Sequence, residues 1–153
     1  MKNEAEFCTV IKHSLTTSYK IPDDPNGFGS RRCFDGIGML SINEKLTFVC
    51  WEAKFLKTYS AFNFNRIEEH QNYYLTEYQK SGVKSFVIVG INCGRADIRV
   101  FVFDWDEQFS ELYKNGFSLH KKDIDKLPYN KISKGAFQFD NVITYAQMQA
   151  LLQ

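Results

Sequence analysis

The chain has no surplus of charge of either sign: 19 Lys and Arg stand against 18 Asp and Glu, for a net charge of +1. That excludes a globally basic nucleic-acid binder, so any such surface must be local. Paired cysteines are also missing. Cys8, Cys33, Cys50 and Cys93 lie far apart with no C-x-x-C motif, which argues against a zinc or iron–sulfur site. No apolar run approaches membrane-spanning length. Lys2, Glu4 and Glu6 precede only a short mixed stretch, unlike a secretory leader. The expectation is a cytoplasmic protein with free thiols and no membrane partner. There is no internal repeat and no low-complexity segment. Proline is scarce, and two of the three prolines fall within residues 17–33.

What is present suits a soluble domain. At 153 residues the expectation is one domain, 1–153, with a real core. Aromatic content is high, with 14 Phe and 8 Tyr; many would be core, and some could face a ligand. Residues 3–15 predict a helix, because Phe7, Val10, Ile11, Ser14 and Leu15 share a face and Asn3 can cap it. On that wheel Glu4 lies about 45° from the centre of the apolar face and Glu6 more than about 100° away. Residues 17–33 read as a long loop rich in turn formers. Two strands follow, over 34–42 and 45–54, with a turn at Asn43, Glu44 and Lys45. A helix over 64–80 is expected, capped by Asn65 with Glu68 as capping-box partner, a buried stripe of Ile67, Tyr74, Leu75 and Tyr78, and an end at Gly82. Ser85–Ile91 reads as a strand covered on both faces. Ile98–Trp105 is a further strand. Short helices are expected over 106–114 and 121–126, and a terminal helix over 145–152. The order implies an α/β fold, a mixed sheet with helices packed on it.

The chemistry concentrates in FDGIGMLSINEKLTFVCWEAK. Residues two apart on a strand share a face, so Glu52 and Lys54 leave the second strand together. Asp35 joins them if the two stretches pair as a hairpin. Phosphodiester cleavage needs a divalent metal, an activated water and a group that stabilises the transition state. Mg²⁺ takes hard oxygen ligands and keeps several waters, so two carboxylates are enough protein for one ion. Asp35 and Glu52 would supply them, with the backbone carbonyl of Ala53 as a third ligand and Mn²⁺ as a substitute metal. Lys54 would orient the attacking water or neutralise the developing oxyanion. The alternative is a solvated surface ion pair of Glu52 with Lys54.

The pattern of helix, D-x(n)-E-x-K on a hairpin, helix and strand resembles the PD-(D/E)xK nuclease superfamily, and within it the RecU-type Holliday-junction resolvases and their phage relatives. FVCWEAKFLK looks like their second catalytic strand, and FNFNRIEEHQNYYLTEYQKSGVKSFVIVGI like the helix and strand that follow. The resemblance covers residues 34–103 well, the first helix loosely and the last fifty residues hardly at all. Phe34 stands where the family usually has Pro. The resemblance implies a restriction-endonuclease-like core, a mixed central sheet flanked by helices in α-β-β-α-β order. It implies a Mg²⁺-dependent endodeoxyribonuclease, acting as a homodimer on four-way DNA junctions, in the host cytoplasm if phage-encoded. It carries over Asp35 and Glu52 as metal ligands and Lys54 as catalytic lysine. It adds an acid on the first helix, for which the apolar-face argument favours Glu4 over Glu6, and Gln71 facing the site from the second helix. His70 reads as a helix-surface residue.

For DNA, the basic residues around this site are Arg31, Arg32, Lys57 and Arg66, the last opening a helix whose N-terminus favours anions. Lys121, Lys122, Lys126, Lys131 and Lys134 form a second basic region. Tyr59, Phe62 and Phe64 are candidates for base stacking, a dimer interface or core packing. Two other readings stand beside the resolvase: a restriction- or repair-type endonuclease of the same superfamily, and a catalytically inactive DNA-binding module.

Overall fold

The computed structural model describes residues 1–22 and 32–153. Helix α1 spans Glu4–Ser14, and the side chain of Asn3 caps it by accepting the Glu6 N–H at 2.9 Å. Its buried face is Phe7, Cys8, Val10 and Ile11. Strand β1, Thr17–Lys20, follows where a loop was expected. Its side chains are almost all exposed, so no alternation of apolar and polar residues marks it. It forms because it can pair antiparallel with the glycine-rich strand β2, Gly36–Ile42, from Thr17 opposite Met39 to Lys20 opposite Gly36. A Cβ on Gly38 would lie 2.3 Å from the Thr17 carbonyl, so that close approach needs glycine. The remainder of the expected loop, 23–31, lies outside the described residues.

β2 turns at Asn43 and Glu44, both left-handed with φ 51° and 65°, into β3, Lys45–Leu56. Two successive positive-φ residues are what a tight hairpin requires. A short strand β4, Phe62–Asn63, a 3-10 turn Phe64–Arg66 and helix α2, Glu69–Lys80, come next. The single helix expected over 64–80 is thus two pieces. Asn63 caps the 3-10 turn, and Glu68 caps α2 in a reciprocal box with Gln71. The break falls at Ile67, whose extended backbone lets both it and Phe64 enter the core fully. Ile67 and Leu75 are buried as expected, but Tyr74 and Tyr78 are about 40% exposed. The inner face of α2 is instead polar: Gln71, Asn72 and Thr76 are buried beside Leu75.

β5, Lys84–Asn92, runs parallel to β3 and is buried from Ser85 to Ile91. β6, Ile98–Asp104, pairs antiparallel with β5. Helix α3 (Glu107–Lys114), strand β7 (Ser118–Leu119, paired with β4), helix α4 (Lys121–Ile124), strand β8 (Asn130–Lys131, paired with β6) and helix α5 (Tyr145–Leu152) complete the chain. The six-stranded sheet has the order β1-β2-β3-β5-β6-β8, with β3–β5 its parallel pair. The fold is α/β with a mixed central sheet flanked by helices, as the restriction-endonuclease-like expectation required.

Each face of the sheet carries its own core. Phe7 and Ile11 of α1 meet Trp51, Phe55, Phe86, Ile88, Val100 and Phe137 on one face. On the other, Leu75, Phe64 and Phe109 meet Val87, Val89, Phe103 and Trp105. Each fully buried side chain of this size contributes roughly 1.5–3 kcal/mol. Phe62 and Phe64 are 1% and 0% exposed, so they pack the core and are not free to stack on bases. Among the described residues, no helix is long and apolar enough to cross a membrane.

Candidate active site

β2 begins at Gly36, opposite Trp51, while β3 runs on to Leu56. The last turnless stretch of β3 therefore has an open edge on its β2 side. In an antiparallel pair the N–H and C=O of one residue point to the same neighbour, so Ala53 and Phe55 direct theirs toward the missing strand. Side chains take its place. The Ala53 N–H donates to Asp35 Oδ2 at 2.8 Å, and the Phe55 N–H donates to Glu4 Oε2 at 3.3 Å. Arg66 Nη2 donates to the Phe55 carbonyl at 3.5 Å. Two carboxylates and a guanidinium from three distant segments are thus gathered on two residues of β3, Ala53 and Phe55. Glu4 is the acid of α1 that reaches the site; Glu6 lies at the surface and accepts the Lys2 N–H.

Glu52 and Lys54 alternate with these edge-facing positions and project on the α2 side of the sheet. They form the expected pair, Nζ to Oε1 2.9 Å, but in a buried setting: Glu52 is 1% exposed and Lys54 7%. That removes the reading of a solvated surface ion pair. The second oxygen, Glu52 Oε2, is buried with no hydrogen-bond partner. Burial and then the nearby Asp35 charge push the Glu52 carboxyl up to about 8, against the opposing pull of Lys54. Lys54 satisfies one oxygen of Glu52 and leaves the other, near a second buried carboxylate, without a donor or cation. Asp35, 1% exposed, has its own cation: Arg32 Nη2 lies 2.9 Å from Oδ1.

The test for a divalent ion is the chemistry of this donor set. Among the described residues, no group of three His, Cys, Asp or Glu side chains is arranged to hold a metal by itself. Mg²⁺ does not need one, since one or two carboxylates with retained waters suffice. Asp35 sits at the open edge on Ala53, and the Glu52 carboxyl, on the α2 side of the strand, feels the Asp35 charge; two carboxylates and a backbone carbonyl are the donor types such a site uses.

The other expected residues divide. Gln71 is buried at the start of α2, with Oε1 engaged by the Glu68 N–H at 2.9 Å, so it serves the cap of that helix. His70 pairs with Glu68 at 3.5 Å. Lys57 is exposed just past the end of β3, and Arg66 is exposed beside it. Arg31 lies outside the described residues. Two neighbours were not foreseen. Arg32 was expected only to touch DNA, yet its spacing of three from Asp35 was a clue to their pairing. Cys8 sits one helical turn after Glu4; burial first, then Asp35, raise its thiol to about 12, and Glu4 and Glu52 add to the effect. It is an inert neutral wall of the site.

A mixed sheet flanked by helices, with Asp35 before one strand of a hairpin and the Glu52–Lys54 pair on the next, is the arrangement of the PD-(D/E)xK nuclease superfamily. Divalent metal ions are the general requirement of resolvase nucleases of this kind. The family model for Recombination protein U (RecU) matches residues 34–150, and the chain belongs to that family of Holliday-junction resolvases. The match runs through the C-terminal third, where the residues alone carried little resemblance. No curated protein is similar enough to the chain to count as a match.

Proposed function

We propose that residues 1–153 form one Mg²⁺-dependent nuclease domain that acts as a homodimer and cuts four-way DNA junctions at the Asp35–Glu52–Lys54 site. The observation that carries this reading is the orphaned, buried Glu52 Oε2 beside a second buried carboxylate. Asp35, Glu52 and the Ala53 carbonyl would hold the ion. Once bound, a divalent cation supplies charge neutralisation at the phosphodiester and a nucleophilic water at neutral pH.

The rest falls to the chain. Lys54 is fixed by β3 and by its contact with Glu52, so its ammonium is preorganised to stabilise negative charge growing on the scissile phosphate. Asp35 is held by the Ala53 N–H and cannot swing away. Glu4 orders Phe55 on the same edge and would add a third carboxylate to the site. Arg66 and Lys57, both exposed, would take phosphate contacts, which position the strand without reading sequence. A junction presents two symmetric cuts, which a two-fold dimer matches.

The test compares the wild type with Asp35→Asn on junction, fork, flap and plain duplex, with Mg²⁺ and with Mn²⁺. Junction cutting by the wild type is expected, with a loss of at least about 10²–10³-fold in the variant and retained DNA binding. Equal cutting of all four substrates would favour a restriction- or repair-type endonuclease. Inactivity of both proteins everywhere would leave a DNA-binding module. Sedimentation at working concentration checks the dimer.

A further inference from the structure

We propose that Arg32 is a resident counter-cation of the site: in the free protein it holds Asp35 in competition with the divalent ion, and it releases Asp35 when a DNA phosphate takes its guanidinium. This rests on the reading of Asp35 as a metal-holding carboxylate.

Both oxygens of Asp35 are engaged. Oδ2 accepts the Ala53 N–H at 2.8 Å, and Oδ1 lies 2.9 Å from Arg32 Nη2. A carboxylate oxygen has a second lone pair, so a small ion is not sterically shut out. It would, however, share a buried oxygen with a guanidinium, and two cations that close repel strongly away from water.

The two cations of the site differ in exposure. Lys54 sits inside β3 with its side chain 9% exposed, and its reach is set by the strand. Arg32 precedes β2, outside any strand, and its side chain is 23% exposed. It can therefore be approached by a ligand from solvent while still bound to Asp35. A phosphate offers a guanidinium the same paired-oxygen geometry that a carboxylate does. The exchange moves Arg32 from one anion to another and uncovers negative charge at Asp35 as DNA arrives. Metal and DNA then bind with positive coupling, and linkage makes the effect reciprocal.

The experiment titrates Mn²⁺ into the full chain without DNA and follows free Mn²⁺ by EPR, for wild type, Arg32→Gln and Arg32→Lys. Arg32→Gln is expected to bind Mn²⁺ about 10-fold tighter than wild type, within the usual span of coupling energies. Arg32→Lys, which keeps a charge but loses the fork, should fall between. Adding a junction blocked by phosphorothioate at the cut should tighten Mn²⁺ binding to wild type, and tighten it much less in Arg32→Gln. Circular dichroism establishes that each variant is folded; should Arg32→Gln not fold, the Arg32→Lys titration decides alone. Equal Mn²⁺ affinity in folded variants and wild type, or equal enhancement by DNA, would overturn the proposal while leaving the nuclease reading intact. If wild type and Asp35→Asn take up Mn²⁺ equally poorly and neither cuts, the underlying reading fails and this one with it.

Discussion

Glu4, on the first helix, accepts the backbone N–H of Phe55 on the third strand at 3.3 Å. This contact ties the N-terminal helix to the edge of β3 that Asp35 also occupies, and it separates Glu4 from Glu6 by geometry. Glu4→Gln keeps an acceptor for Phe55 and loses only the charge. Initial rates of junction cleavage at saturating Mg²⁺ should fall by about 10-fold or more. Glu6→Gln should cut like the wild type. Equal losses in both variants would mean that helix charge, and not this contact, matters.

Glu52 makes the metal-free protein sensitive to pH. Its carboxyl ordinarily titrates near 4.5 and is pushed up to about 8 in the fold. Between those values the folded chain holds a proton that the unfolded chain has lost. Stability is therefore fully present below about 4.5 and declines as pH rises toward 8, by at most about 1.4 kcal/mol per pH unit. Melting temperatures in EDTA at pH 5 and pH 9 should show the decline in wild type and a much flatter profile in Glu52→Gln. Metal affinity should run the opposite way, rising across the same window, because the ligand must be deprotonated.

Gly36 has no room for a side chain. A Cβ there would meet the Trp51 ring at 2.3 Å and the Tyr19 carbonyl at 2.8 Å. Gly36→Ala must push β1 or Trp51 aside, at a cost of about 1–3 kcal/mol, measured by urea unfolding. Because Gly36 follows Asp35 directly, cleavage should drop as well, even at temperatures where the variant is fully folded.

Asn72 ties α2 to Trp105, just past β6, and to α3. Its Oδ1 accepts the Trp105 Nε1–H at 3.0 Å and its Nδ2 donates to Ser110 Oγ at 2.9 Å. Asn72→Ala leaves the fully buried indole N–H without its partner, which should cost about 1–3 kcal/mol. Urea unfolding is again the measurement, and a change under about 0.5 kcal/mol, the size expected of a surface site, would show that water replaces the amide.

Much of the fold could be read in advance where one residue type repeats with the period of its element. The apolar face of α1 with its Asn3 cap, the alternation closing in Glu52 and Lys54, and the unbroken apolar run of β5 are local patterns. The stripe on α2 misled, because the inward positions hold Gln71, Asn72 and Thr76 beside Leu75, with Asn72 bonded to Trp105 and Ser110, while Tyr74 and Tyr78 stay about 40% exposed. Strand β1 gave no sign of itself, since an edge strand with exposed side chains is made by the backbone of its neighbour.

By itself, the order of residues determined which groups are available: an acid at the start of one strand, an acid and a lysine two apart on the next, and a helix with Glu4 on its inner side. It did so because side-chain direction along a strand or helix follows from the repeat of the backbone alone. Only the tertiary structure decided that β2 stops short of β3, that Asp35 and Glu4 fill the bare edge, that Arg32 sits on Asp35, and that Glu52 keeps an oxygen without a partner. Those outcomes depend on where one segment ends against another and on how far water is shut out, and neither is a property of any stretch of chain taken singly.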